Sequence, residues 1–221
     1  MIPQKIRAFH KCLSGDAHHR YRSWEHCYRF FRRVTPTKIA DHRECAALQL
    51  AFYLASWGMY RGSSFLLKRS YTVHLGVVDC LAAPCFSFLW KSEFGAGHDD
   101  DKLVPIILSA IKGVKKAYAS YGHPTNTLVT KVILGTLGCL PACDSYFIRG
   151  FRSQGFRYSD LNKPFVEGVL RFCCKNSVAL RTEQARIENH SGVYYPLMKL
   201  VDMYFWQIGR ELVAENADSA E

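Results

Sequence analysis

The sequence places an aspartate where a helix is predicted to begin. Asp144 follows Pro141 and a short apolar loop, and it precedes the helical pattern from Ser145 to Gln154. A carboxylate at a helix N-cap accepts backbone N–H groups and lies at the positive end of the helix dipole. Both effects favour the charged form, so we expect Asp144 to be ionised at neutral pH. In a cleft it could stabilise an oxocarbenium-like transition state of glycosidic cleavage, although capping alone also explains an aspartate here.

A second candidate lies near the N-terminus. The stretch His18–His26 interleaves basic and aromatic residues, a composition that suits a surface tracking a nucleic-acid backbone. Within it, Arg20 and His26 have the arginine-to-histidine spacing of HEPN ribonucleases. In a chain with this many basic residues such a pair arises easily by chance. Ribonuclease chemistry is therefore an alternative and not our main hypothesis.

The elements that must position these residues are helical almost throughout, so the predicted fold class is all-α. Asp41–Glu44 resembles a capping box, and the helix after it is predicted to stop at Gly58. Tyr71–Leu75 fits either a short strand or the start of a helix. Further helices are predicted over about 102–120, from the turn 122–127 to about 137, from Ser145 to Gln154, and from about Pro196 to Glu215. We expect a single helical domain over residues 1–221, and two helical lobes around a cleft are compatible with this pattern.

Composition and charge narrow the class of protein. The chain has 29 Lys and Arg against 19 Asp and Glu, a net charge of +10, and 48% hydrophobic residues. Such a chain is not intrinsically disordered, and no apolar run reaches the roughly 18 to 20 residues that a membrane span needs. Excess positive charge favours a polyanionic partner, although a solubilising surface would have the same composition. The last residues, about 214–221, are predicted to form a frayed acidic tail.

Cysteine usage indicates a reducing compartment. The nine cysteines are an odd number, lie mostly in apolar stretches and form no C-x2-C pair. We therefore expect buried reduced thiols, no metal site and no cofactor. With no signal peptide evident, a cytoplasmic location is predicted.

Residues 121–155 carry a resemblance to the helix-hairpin-helix DNA glycosylases. Pro141–Phe147 is similar to the element that places that family's catalytic aspartate at a helix start, and Gly122–Thr125 stands where its DNA-gripping hairpin would be. The resemblance covers about thirty residues. It implies a glycosylase-like helical fold with Asp144 as the catalytic carboxylate. It also implies DNA contacts from the hairpin and the following helices, at Gly122, Thr125, Asn126, Thr127, Arg149 and Arg152.

Two departures from the family pattern affect the predicted reaction. Only Gly122 remains of the hairpin's usual two glycines, and the lysine that lets some members cut the DNA backbone would fall at Thr125 or Asn126. Lys131 is the nearest candidate for that Schiff-base amine, but it lies inside the predicted helix. We favour a phosphate contact or plain solvation for Lys131. The resemblance then implies a monofunctional enzyme that leaves an abasic site.

A glycosylase must also extrude the nucleotide and hold the base. The predicted turn Trp57–Ser64, which follows the helix that begins near Asp41, offers Trp57, Met59, Tyr60 and Arg61 as wedge or gap-filling residues. On the last helix, Trp206 is the candidate for stacking and Asp202 for polar contact, since the family uses this helix for part of its pocket. All of them could instead be core or turn residues.

The whole chain resembles a bacterial anti-phage branch of these enzymes. That resemblance implies a double-stranded DNA partner with modified bases, excision of glucosylated hydroxymethylcytosine, and a monomer. The alternatives are an oxidised-purine repair glycosylase, a HEPN-type ribonuclease and a non-catalytic nucleic-acid-binding module.

Overall fold

The computed structural model describes residues 1–34, 36–90 and 100–218, and within these ranges it contains helices and no β-strand. The all-α prediction is confirmed. Short 3₁₀ turns connect some of the ten α-helices, which are α1 Ile2–Ser14, α2 Arg22–Arg33, α3 Arg43–Ser56, α4 Leu75–Leu81, α5 Asp100–Tyr118, α6 Asn126–Thr136, α7 Ser145–Ser153, α8 Lys163–Lys175, α9 Ser177–Ser191 and α10 Leu197–Asp218.

The centre of the molecule is formed by α6 and the first half of α10. Every residue of α6 from Leu128 to Thr136 is buried, and so is every residue of α10 from Leu197 to Gly209. A helix that is buried on all sides must be surrounded by other parts of the fold. The buried apolar side chains of the described residues accordingly form one connected core.

Two glycines let α7 and α10 cross at backbone contact. A Cβ atom at Gly150 would lie 2.0 Å from the carbonyl oxygen of Phe205, and one at Gly209 would lie 1.9 Å from that of Tyr146. No other residue type fits at either position, because no real Cβ approaches another heavy atom so closely. The crossing fixes the start of α7, where Asp144 lies, against the buried half of α10.

Several boundaries differ from the sequence prediction. The proposed capping box does not form: the N-cap of α3 is His42, and its side chain makes no capping hydrogen bond. Residues 71–74 form a 3₁₀ turn that leads into α4, so the strand alternative is wrong. The acidic tail is helical to Asp218, and residues 219–221 lie outside the described ranges.

Four basic residues of the N-terminal stretch are paired with carboxylates of the fold. Lys5 binds Glu211, Arg7 binds the buried Glu183, Arg22 binds Glu25 and Arg43 binds Asp79. Part of the positive charge therefore stabilises helix contacts and is not available to a ligand. None of the described helices has the length and apolar character needed to cross a membrane.

The cysteines are less buried than predicted. Of the nine, Cys27, Cys139, Cys143 and Cys173 are buried, whereas four are exposed: Cys12, Cys45, Cys85 and Cys174. The apolar stretches that hold the exposed ones lie at helix surfaces and short turns, where only one side of the segment faces the core.

Candidate active site

A cavity of about 330 Å³ lies between the start of α2, the turn after α3, and helices α6, α7 and α10. It brings Asp144 and Lys131 into one wall, with candidates from both predicted base-binding segments around them. Its lining residues are Arg20, Tyr21, Trp57, Gly58, Met59, Arg61, Thr127, Lys131, Asp144, Ser145, Tyr146 and Trp206. Arg20, Arg61 and Ser145 are exposed at the mouth, whereas Lys131 and Trp206 are buried.

Asp144 is the N-cap of α7. Its Oδ1 accepts a hydrogen bond from the amide of Phe147 at 3.0 Å, and its side chain is only partly buried. The residue before it is held from α6: the Cys143 amide donates to Thr130 Oγ1 at 2.8 Å, and Thr127 Oγ1 donates to the Cys143 carbonyl at 2.8 Å. The carboxylate therefore caps a helix and faces a cavity at the same time.

The electrostatic surroundings of Asp144 differ from the expectation. Burial raises the pKa of Asp144 above the ordinary aspartate value, although the positive charge of Lys131 and the Phe147 amide act to lower it. Capping alone therefore does not describe this carboxylate, because it leaves out the cost of removing the group from water.

Lys131 is buried as well, with 4% of its surface exposed, so plain solvation is excluded. Its Nζ donates to the carbonyl oxygen of Trp57 at 3.0 Å and lies 5.4 Å from the centroid of the Trp57 ring. Burial lowers the pKa of Lys131, and the charge of Asp144 partly opposes this effect. The cavity thus contains an acid with a raised pKa and an amine with a lowered one, a combination found at functional sites.

Aromatic rings form the rest of the wall. Trp57 stacks on Tyr21 with ring centroids 4.4 Å apart, and its indole N–H is buried with no acceptor among the described residues. Trp206 makes an edge contact with Tyr146, with centroids 5.1 Å apart. Flat aromatic surfaces next to charged groups suit the binding of a planar ring.

Asp202 does not line the cavity. It is 3% exposed, and both carboxylate oxygens are engaged within the protein: Oδ1 accepts from the Ala142 amide at 3.0 Å, and Oδ2 accepts from Lys199 Nζ at 2.7 Å. The helical spacing placed Asp202 near Trp206 correctly, but the side chain points at the loop before Asp144 and not at the cavity.

Tyr60 does not project from its turn as a wedge would. Its hydroxyl is 2.6 Å from Nε2 of His74, and Nδ1 of His74 is 2.6 Å from the Tyr118 hydroxyl. This chain of three side chains, of which His74 and Tyr118 are fully buried, anchors the turn after α3. Met59 and Arg61, on either side of Tyr60, both line the cavity.

The His74 chain predicts a loss of stability in mild acid. Burial lowers the pKa of His74 from the ordinary 6.5 to about 4, so the unfolded chain binds a proton that the folded protein rejects between these values. Stability is therefore full above pH 6.5 and falls as the pH is lowered towards 4, by about 3 kcal/mol in total. Urea unfolding of wild type and of His74→Gln at several pH values measures this. If both proteins lose the same stability over that interval, His74 is not the cause.

A second cavity of about 410 Å³ adjoins the first on the other side of Met59 and Arg61. It is lined by His123 and Thr125 of the predicted hairpin together with Gly58, Met59, Arg61, Ser63, Ser64, Phe65 and Leu128. The predicted hairpin and the predicted wedge turn therefore lie side by side. Gly122 packs against Phe65, where a Cβ atom would come within 2.9 Å of its ring.

The other residues predicted to contact DNA differ in their surroundings. Thr125 caps α6 by accepting from the Leu128 amide, and the amides of Asn126 and Thr127 donate to no described acceptor. The side chain of Asn126, however, donates to Asp160 at 2.8 Å. Arg149 is exposed on α7, and Arg152 donates to the carbonyl of Tyr158 at 2.7 Å.

Four further residues line the cavity that were not predicted from the sequence to do so: Arg20, Tyr21, Ser145 and Tyr146. Arg20 and Tyr21 belong to the basic aromatic stretch that was predicted to track a nucleic-acid backbone. That composition was the sequence feature that could have indicated their place in the cavity wall. His26, the other half of the HEPN spacing, is exposed on α2 and does not line the cavity.

The described residues contain no cluster of three His, Cys, Asp or Glu side chains that could hold a metal ion. Comparison of the chain with protein-family models, with curated proteins and with solved structures finds no match.

Proposed function

We propose that this protein is a DNA glycosylase that flips a modified base into the cavity between α2, α6, α7 and α10 and removes it. The observation that carries the proposal is the meeting of a helix-capping aspartate, a buried lysine and a pair of tryptophans in one open cavity beside the hairpin. The similarity of residues 121–155 to the helix-hairpin-helix glycosylases, and the helical architecture, support it. We infer that it acts in the cytoplasm as a monomer.

The reaction follows from the position of Asp144. The bond between the base nitrogen and C1′ of the sugar breaks, and its electron pair leaves with the base. The positive charge that develops on the sugar is stabilised by the Asp144 carboxylate, which the protein fixes in place before the reaction. A water molecule then adds to C1′, and the proton that it loses is taken up by the released base, which leaves an abasic site.

DNA binding would rest on the rim of the cavity. Arg20 and Arg61 lie at the mouth and Arg149 is exposed on the same helix as the cap, while the amides of Asn126 and Thr127 remain available at the start of α6. Helix N-termini and arginines are the usual phosphate partners, and they position the duplex without reading its sequence.

The size of the cavity is sufficient for a base that bears a sugar. An apolar cavity of about 150 Å³ holds one benzene ring. The volume of about 330 Å³ is therefore enough for two six-membered rings, such as a pyrimidine and a hexose. The mixture of aromatic rings with Arg20, Asp144 and Ser145 supplies both stacking and hydrogen bonding. On this basis we propose glucosylated hydroxymethylcytosine in phage DNA as the substrate, in anti-phage defence.

Incubation with glucosylated and with unmodified phage DNA tests this function. We expect abasic sites in the glucosylated DNA only, detected as strand breaks after alkali. Equal action on both DNAs, or none on the modified one, would refute the proposed substrate. Release of an oxidised purine from a defined oligonucleotide would instead indicate a repair glycosylase, and salt-dependent binding without base release a binding module.

The buried amine of Lys131 favours a second candidate, a glycosylase that also cuts the backbone. In that reaction the amine attacks C1′ as the base leaves and its proton passes to the base; the C1′–O4′ bond then opens, O4′ takes up a proton, and the resulting iminium is reduced by borohydride to a stable protein–DNA adduct. The same incubation with borohydride distinguishes the two. An adduct that disappears in Lys131→Gln indicates the second reaction, and alkali-dependent breaks without an adduct indicate the monofunctional one we propose.

A further inference from the structure

The α10 helix carries a buried ion pair beneath the cavity. Lys199 and Asp202 are 2% and 3% exposed, and their charged atoms are 2.7 Å apart. Neither residue lines the cavity. Burying two charges is costly, and pairs of this kind are rarely justified by stability alone. The partners of each residue suggest what the pair does.

Asp202 is connected to the catalytic candidate through the backbone. Its Oδ1 accepts from the amide of Ala142, two residues before Asp144. Together with the two hydrogen bonds from α6 to Cys143, this contact immobilises the loop that delivers Asp144 to the cavity. The direction in which the Asp144 carboxylate points therefore depends on a side chain of α10.

Lys199 is connected to the opposite wall through aromatic rings. Its Nζ lies 4.9 Å from the centroid of Trp57, and the rings of Trp24 and Phe9 are at 5.1 and 5.2 Å. Cation–ring contacts of this kind are strongest where water is excluded. Since Trp57 forms part of the cavity wall, Lys199 holds this part of the wall in place.

We propose that the Lys199–Asp202 pair is a positioning device that sets the distance and orientation between Asp144 and Trp57, the two walls of the cavity. Neither residue touches the reacting atoms. Asp202 holds the loop that carries Asp144, Lys199 holds the indole ring of Trp57, and the ion pair joins the two. The consequence for catalysis rests on the proposed glycosylase function, whereas the consequence for the loop does not.

The pair also acts on Asp144 through its charges. The charged groups that face Asp144 are Lys131 from α6, Lys199 and Asp202 from α10, and Arg20 and Arg61 at the mouth. The charge of Asp202 raises the pKa of Asp144 and the charge of Lys199 lowers it. Neutralising one partner at a time should therefore move the acid limb of the reaction in opposite directions.

The catalytic test measures base release from glucosylated DNA in single turnovers as a function of pH. We expect Asp202→Asn to shift the acid limb to lower pH and Lys199→Met to shift it to higher pH. Glu183→Gln is the matched control, because Glu183 is an equally buried paired carboxylate on α9, away from the cavity. An acid limb that stays at the wild-type pH in both variants would overturn the proposal.

The double variant Lys199→Met/Asp202→Leu tests positioning. Replacing a buried ion pair by apolar residues of similar size is often neutral for folding. The loop and the ring nevertheless lose their restraints, and a misplacement of about 1 Å can slow an enzyme by about 10²-fold. We expect that loss in the plateau rate, with DNA affinity within about twofold of wild type. A plateau rate within threefold of wild type would refute the positioning role.

Amide hydrogen exchange separates this proposal from the proposed function. In the double variant the amides of Ala142 and Cys143 should exchange at least tenfold faster than in wild type, and in Glu183→Gln they should not. If wild type releases no base but the exchange rises, the glycosylase function fails and the positioning role stands. Unchanged exchange in the double variant refutes the positioning role, whatever the activity.

Discussion

Asp144→Asn should bind DNA as tightly as the wild type or more tightly, and should release base about 10³-fold more slowly. Asparagine caps a helix as well as aspartate does, so α7 keeps its hydrogen bond from the Phe147 amide and the fold keeps its stability. What is lost is the negative charge that stabilises the sugar cation. Removing it also removes a repulsion with the phosphates of DNA.

The measurement is single-turnover base release beside a binding titration at the same salt concentration. Asp79→Asn is a suitable control, because Asp79 is a carboxylate at the surface whose partner is Arg43. The control should match the wild type in both assays. If Asp144→Asn releases base within tenfold of the wild-type rate, the Asp144 carboxylate serves only as the N-cap of α7 and the proposed mechanism is wrong.

Gly209→Ala should lower the free energy of unfolding by about 3 kcal/mol, the upper end of the usual cost of overpacking. The new Cβ atom would lie 1.9 Å from the Tyr146 carbonyl oxygen, so α7 and α10 must move apart along their closest contact. For a chain of this length the corresponding fall in Tm is about 6–12 °C. Because α7 begins next to Asp144, base release should fall as well.

Gly168→Ala on α8 is the matched comparison. A Cβ atom there would meet nothing closer than Phe151 at 3.9 Å, an ordinary contact, and alanine favours a helix interior over glycine by up to about 1 kcal/mol. This variant should be as stable as wild type or more stable in thermal and urea unfolding. Equal stability of Gly209→Ala and Gly168→Ala would show that the close crossing is not required by the fold.

The features that the sequence predicted well are those that depend on neighbours along the chain. The start of α7 at Asp144, the turn that opens α6 and the start of the last helix all follow from capping residues, prolines and the spacing of apolar residues within a few positions. The predicted capping box before α3 failed, because short 3₁₀ turns fold there and leave His42 at the cap.

The roles of single polar residues were harder to predict. Trp57, Met59, Arg61 and Trp206 were chosen from two separate segments, and the fold brings all of them to the same cavity. Tyr60 and Asp202 were chosen by the same reasoning, but both form hydrogen bonds within the protein. Tyr60 is bonded to His74, and Asp202 is bonded to Ala142 and Lys199. Spacing along a helix indicates which face a residue occupies, but not which partner meets it there.

By itself, the sequence determined an all-helical, basic chain with a carboxylate at a helix start, because periodicity, capping and net charge are properties of short segments or of composition. Only the tertiary structure decided the electrostatics of the cavity. The Lys131 amine is buried by Trp57, which lies 74 positions away, and the Ala142 amide is held by Asp202, 60 positions away. Burial and pairing at such separations depend on how helices pack, and this packing raises the pKa of Asp144 where local capping alone predicts a lower one.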